Sequence, residues 1–278
     1  MTGPQAWPNC DEDIKRFVVN LMERLKSEAG KKVTGIYLHG SLAMGSYYRP
    51  KSDIDLIVVV DGKLEADLAE AVGIAIAKVT SNRPMIGNVE LSVITADVAK
   101  KVPVPTPFEV HYSSGWHDKI LNLEVDYSKE RTDTDLSSHL AYVAQRGVCL
   151  YGKPISEIFG QVNWQHFMEA VMDDLDWILE DEHILETPFY SVLNICRVFQ
   201  LMSEDCQSVH SKDEGGEWGL GHLPQEYHTV IQLALDVYRS SDKVTEEHRK
   251  TGGKEWDQAK LLAFRNFARM KIKNELGG

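Results

Sequence analysis

Cysteine is scarce in this chain, and its four occurrences, Cys10, Cys149, Cys196 and Cys206, are scattered. No CxxC pair is present, so neither the usual zinc spacing nor a disulfide framework is indicated, and reduced thiols in a cytoplasm are expected. Long apolar runs are missing too. A run such as Leu56-Ile57-Val58-Val59-Val60 is strand-length and falls far short of the roughly 20 residues of a membrane span. The first residues, Met1-Thr2-Gly3-Pro4, lack the basic-then-apolar order of an export signal. Basic residues are the minority, 30 Lys and Arg against 42 Asp and Glu, for a formal charge of -12. That balance argues against affinity built on neutralising nucleic-acid phosphates and suits a small cationic partner. Ten histidines are present, but none shows HxxxH spacing on one helix, so they read as satisfied or solvent-exposed side chains rather than metal ligands. Nothing demands extra apolar surface for a dimer, and a monomer is expected.

What is present suffices for a globular core, with 278 residues of which 43% are hydrophobic. Ile14, Phe17, Val18, Leu21 and Leu25 recur at helical spacing between acidic residues at the start and Gly30 at the end, so a helix opens the chain. Val33 to Leu38 and Ile54 to Val60 are rich in β-branched residues and predict neighbouring strands. A helix over LEADLAEAVGIAIAKVT and a third strand, Asn88 to Ile94, follow. The proline-rich stretch Val102 to Pro107 should run extended into a last strand, Phe108 to Tyr112. From about Leu136 the apolar spacing becomes helical in five segments, which predicts a helical bundle. Gly152-Lys153-Pro154 and the glycine-rich run Ser211 to Gly221 read as breaks between those helices. The fold class is α+β with a C-terminal α-helical bundle, divided as 1–159 and 160–278.

The chemistry concentrates at Leu38-His39-Gly40-Ser41-Leu42-Ala43-Met44-Gly45-Ser46 and at Ser52-Asp53-Ile54-Asp55-Leu56. A strand ending in Gly40-Ser41 lets backbone amides and a hydroxyl approach an anion closely. Asp53 and Asp55 are two apart in a strand and share one face, where two carboxylates suit Mg2+ beside a triphosphate. Glu90, in the neighbouring strand, can add a third carboxylate.

The pattern Gly40-Ser41, Gly45, Ser52-Asp53-x-Asp55 with a later acid resembles the signature of the nucleotidyltransferase superfamily related to DNA polymerase β. Within it the chain is similar to the aminoglycoside 3''/9-adenylyltransferases, the streptomycin and spectinomycin resistance enzymes. The landmarks are Val89-Glu90-Leu91, Trp116, Leu150-Tyr151-Gly152-Lys153-Pro154, Ile195-Cys196-Arg197, Lys212-Asp213, Trp218, Leu223-Pro224 and Tyr238. The resemblance implies a polymerase β-like catalytic domain, a mixed sheet with flanking helices, that moves AMP from ATP to an antibiotic hydroxyl and releases pyrophosphate. It implies that Asp53 and Asp55 ligate Mg2+, with Glu90 on the same site as general base. Gly40, Ser41, Ser52, Arg197, Lys212 and Tyr238 would contact the nucleotide. Trp116 would meet the cationic acceptor, and Trp177 with Asp181, Glu182 or His183 would mark streptomycin use. Judged by residue type alone, the tryptophans are core anchors and Glu90 is an alternating polar residue of a strand. The same fold acting on another small molecule or a protein, and a nucleotide-binding module without catalysis, are the competing readings.

Overall fold

A computed structural model describes residues 3–180, 182–203 and 207–276. The chain divides into two compact units, Gly3–Phe167 and Met168–Gly278. In the first, α1 (Glu12–Ala29), β1 (Val33–His39), α2 (Gly40–Met44), β2 (Ile54–Val60), α3 (Ala66–Thr80) and β3 (Val89–Thr95) follow in order. They are succeeded by α4 (Ala96–Lys101), β4 (Thr106–Phe108), β5 (Val110–Tyr112), α5 (His117–Leu121) and β6 (Arg131–Asp133). α6 (Leu136–Arg146), β7 (Val148–Gly152) and α7 (Ile155–Ile158) complete it, and α8 (Trp164–Leu179) begins there. α9 (His183–Glu186), α10 (Pro188–Ser203), α11 (Lys212–His222), α12 (His228–Arg239) and α13 (Gln258–Leu276) make up the helical unit. No helix among the described residues is long and apolar enough to cross a membrane.

The main sheet has the order β5-β3-β2-β1-β7, with β2 and β3 parallel and the other pairs antiparallel. Its central strands are buried at nearly every position because both faces are covered. On one face Ile36, Leu38, Leu56, Val58 and Leu91 pack with Ile14, Val18 and Leu21 of α1 and Val72 and Ile76 of α3. On the other, Tyr37, Ile57, Val59 and Ile94 pack with Leu136, Leu140 and Val143 of α6. Strand alternation puts the odd-numbered residues of β2, Asp55 included, on this second face, so α6 covers the sheet beside them. The connection after α2 is tied down by Arg49, whose guanidinium donates to Asp11 (2.9 Å), to Asp13 (2.8 and 2.6 Å) and to the Pro84 carbonyl (2.6 Å).

Three local expectations change. The single strand foreseen over Phe108 to Tyr112 is broken at Glu109: β5 pairs with β3, whereas β4 turns away to form a two-stranded ribbon with β6. β7 adds an unforeseen edge strand beside β1 that runs into the break at Gly152; it alternates half-buried Val148 and Leu150 with exposed Cys149 and Tyr151, too short a pattern to stand apart from α6 before it. The run Ser211 to Gly221 is no break but α11, started by a capping box in which Ser211 Oγ accepts from Glu214 N and Glu214 accepts from Ser211 N. Its glycines serve close packing. A Cβ on Gly215 would lie 2.7 Å from the Arg197 backbone, one on Gly216 2.5 Å from Leu235, and one on Gly219 2.7 Å from the Cys196 sulfur.

Gly221 lies in the same helix with nothing within 4 Å of a built Cβ. Alanine at 215 would gain about 1 kcal/mol of helix propensity but meet immovable backbone, an overpacking cost of about 1–3 kcal/mol. Gly215→Ala is therefore expected to lower the thermal midpoint by a few degrees and Gly221→Ala to leave it equal or higher, as read by calorimetry.

Candidate active site

β1 ends at His39, and Gly40, with φ of +65°, turns the chain into the five-residue α2. A Cβ on Gly40 would stand 1.9 Å from Asp55 Oδ2, so the carboxylate occupies the space that any other residue at 40 would fill. Gly45 closes α2 in the left-handed conformation and its N–H donates to the Ser41 carbonyl. Ser52 is buried, and its hydroxyl accepts from Tyr48 N at 3.0 Å while its own N–H donates to the Tyr48 carbonyl, which shapes the loop leading into β2. Asp53 Oδ1 accepts from Asn88 N at 2.5 Å and joins the start of β2 to the start of β3.

Register gathers the central residues. His39 pairs with Asp55 across β1 and β2, and Asp55 pairs with Glu90 across β2 and β3, so the three form one row across the sheet. Side chains in such a row share a face, with strands about 4.8 Å apart. Asp53 lies on that face by alternation. Among the described residues no group of three or more His, Cys, Asp or Glu gathers tightly enough to enclose an ion. The donor set nonetheless fits Mg2+, which takes one or two carboxylates and completes its shell with phosphate oxygens and water.

Sequence reading missed the histidines here. His139, on α6, places Nδ1 3.9 Å from Glu90 Oε1 and Nε2 3.2 Å from Asp135 Oδ2. Its ring packs against that of His39, with centroids 5.1 Å apart. Burial opposes charge on His139, but the Asp135, Glu90 and Asp55 carboxylates outweigh it and push the imidazole up to about 10. Burial, and then the charge on His139, hold His39 well below the usual histidine range. His111, on β5, bonds Ser92 Oγ at 3.0 Å, and burial lowers it against the pull of Glu90 and Asp133. Only the Asp135-x-x-x-His139 spacing on one helix was a sequence signal for any of this.

Trp116 lies beside His111, ring centroids 5.7 Å apart, and meets Phe108 edge-on at 6.4 Å. One ring face carries the Arg131 guanidinium at 5.2 Å. The tryptophan thus has packing partners of its own next to the acidic row, as residue type alone would suggest.

In the helical unit, Lys212 opens α11 with its ammonium 4.9 Å from the Tyr190 ring centroid. Arg197 lies on α10 where Gly215 approaches it. Tyr238 is buried and stacks on Phe189 at 6.2 Å. A two-point Asp213–Arg239 pair (2.7 and 3.1 Å) joins the residues next to Lys212 and Tyr238, which brings the start of α11 to the end of α12. Trp177 is exposed on one side and stacks on His183 at 4.2 Å, while His183 Nδ1 lies 2.6 Å from the Trp177 carbonyl. Glu182 is exposed between them, and Asp181 lies outside the described residues.

A nucleotidyltransferase domain model matches residues 18–142, and a model for the aminoglycoside adenylyltransferase C-terminal domain matches residues 157–259. The chain thus joins a nucleotidyltransferase domain match to an aminoglycoside adenylyltransferase C-terminal domain match. Relatives similar to it include the spectinomycin 9-adenylyltransferase of Staphylococcus aureus, 25% identical over 81% of this chain and 85% of the relative. The aminoglycoside (3'') (9) adenylyltransferase of Escherichia coli is also 25% identical, over 81% of this chain and 84% of the relative. The fold is matched by the crystal structure of spectinomycin adenyltransferase AAD(9) from Enterococcus faecialis with ATP and spectinomycin. That likeness has a TM-score of 0.74 at 19% identity and covers 93% of this chain and 99% of that one.

A folded-state value for His139 near 10, above the ordinary 6.5, makes its contribution to stability whole below about pH 6.5 and lost as pH rises through the raised value. His39 is neutral in the folded state across this window and loses its unfolded-state proton just above pH 6.5. The thermal midpoint of the wild type relative to His139→Leu should therefore fall steadily from pH 6.5 to 10. A difference that stays flat or grows with pH would contradict the charged imidazole.

Proposed function

We propose that this chain transfers AMP from Mg-ATP to a hydroxyl of an aminoglycoside or aminocyclitol antibiotic, with spectinomycin the first acceptor to test and streptomycin the second. The observation that carries this reading is the row His39-Asp55-Glu90 beside the glycine turn at Gly40, on a chain that matches a nucleotidyltransferase domain model over residues 18–142 and an aminoglycoside adenylyltransferase C-terminal domain model over residues 157–259.

In this reading Gly40, Ser41 and the Ser52 loop receive the triphosphate. Asp53 and Asp55, with Glu90 beside them, would hold Mg2+, which supplies charge neutralisation at the phosphates when bound. Glu90 takes the proton of the acceptor hydroxyl as its oxygen attacks the α-phosphorus. The bond from that phosphorus to the bridging oxygen breaks, and pyrophosphate carries away the electron pair. Catalysis of this kind is mainly positioning and electrostatics, to which a placed base adds about 10² to 10⁴-fold. Trp116 offers an aromatic edge to the acceptor. The net charge of -12 favours approach of such a cation. Dependence on ATP puts this work in the cytoplasm.

Incubation with Mg-ATP and spectinomycin, streptomycin or kanamycin separately should give, by mass spectrometry, a drug heavier by one AMP. An AMP adduct on a protein in place of any drug would move the acceptor to that class. Glu90→Gln keeps the shape of the side chain and removes the base, so turnover should drop by about 10² to 10⁴-fold with ATP affinity unchanged. Wild-type turnover in that variant would remove Glu90 from the role.

A further inference from the structure

Glu90 is a long side chain at the start of β3, 40% exposed, and its strand neighbour in register is another carboxylate, Asp55. Like charges side by side on one face repel, and rotamer freedom lets the exposed one swing away. A base must stay within hydrogen-bond reach of the proton that it takes, so something has to hold it. The group across from it is His139. Its two ring nitrogens each face a carboxylate: Asp135 at 3.2 Å fixes the ring, and Glu90 at 3.9 Å stands at ion-pair rather than hydrogen-bond distance.

Asp135 is itself fixed. Its N–H donates to Asp133 Oδ1 at 2.9 Å, and its Oδ1 accepts from Ser138 Oγ at 2.8 Å. The His39 ring packs on His139 from the end of β1, next to Gly40. The helix that carries His139 is seated on the sheet by buried Leu136, Leu140 and Val143. A rigid line therefore runs from the helix core through Asp135 and His139 to Glu90, within the first compact unit.

We propose that His139, backed by Asp135, is a positioning residue that holds the Glu90 carboxylate in the orientation from which it takes the acceptor proton. The inference rests on the adenylyl-transfer reading above. It assigns no contact with substrate to His139; the ring acts through Glu90, and loss of such placement costs rate rather than affinity.

The test is steady-state AMP transfer by wild type, His139→Leu, Glu90→Gln and the double variant. His139→Leu should lower kcat by about 10 to 100-fold, with KM for ATP and for the acceptor changed less than about twofold. His139→Gln, which retains a donor toward Glu90, should recover about a tenth or more of wild-type kcat. If His139 acts through Glu90, adding His139→Leu to Glu90→Gln should change kcat little further. Wild-type kcat in His139→Leu, or a loss of equal size with and without Glu90, would overturn the inference while leaving the transfer reading intact. Where His139→Leu fails to fold, His139→Gln carries the same double-variant comparison. A wild-type protein that transfers no AMP to any acceptor would overturn the transfer reading, and this inference with it.

Discussion

The carboxylate of Asp55 stands where a side chain at residue 40 would have to go, and that exchange of space organises the first unit. It demands glycine at the end of β1, and glycine in turn lets the chain fold back into α2 with φ of +65°. The antiparallel register of β1 and β2 then puts His39 opposite Asp55, and the parallel register of β2 and β3 puts Glu90 on the other side. A slip of one residue in either pairing would send one member to the face packed by α1 and α3. The apolar residues that alternate with the acids, Leu56 and Val58 on one face, Ile57 and Val59 on the other, oppose such a slip because all four are buried.

α6 connects packing to the acidic row. Its apolar stripe seats it on the sheet, and its first turns carry Asp135 and His139 to Glu90. The same seat removes water from His39, which stays neutral while its neighbour is charged. The two histidines thus differ in state because burial and the charge of His139 act on His39, whereas the carboxylates around His139 outweigh its burial. In the helical unit, the close approach of α11 to α10 plays the comparable structural part, since glycines at 215, 216 and 219 let backbone and side chains of the two helices meet where any Cβ would intrude.

Much of the fold was legible because burial and periodicity coincide. Ile14, Val18 and Leu21 read as a helix face and form one. The strands Val33–His39 and Ile54–Val60 are recognisable because both faces are buried and both must be apolar. Where burial is weak, periodicity says little: β7 is a short, half-exposed edge strand and β6 has three residues, so neither announces itself. α11 was hidden for a different reason. Its glycines lower helix propensity locally, and the compensation, close packing on α10, lies in another part of the chain.

By itself the sequence determined the glycine turn after β1 and the strands that carry Asp55 and Glu90, since their spacing is local. It also determined the succession of a sheet domain and a helical one. Tertiary structure alone decided that His39, Glu90 and His139 meet, because strand register and the docking of α6 join residues as far apart as 39 and 139. It alone decided that Arg131 lies over Trp116 and that Tyr238 is a core residue. A histidine's charge and an aromatic ring's neighbours depend on distances that no local spacing encodes.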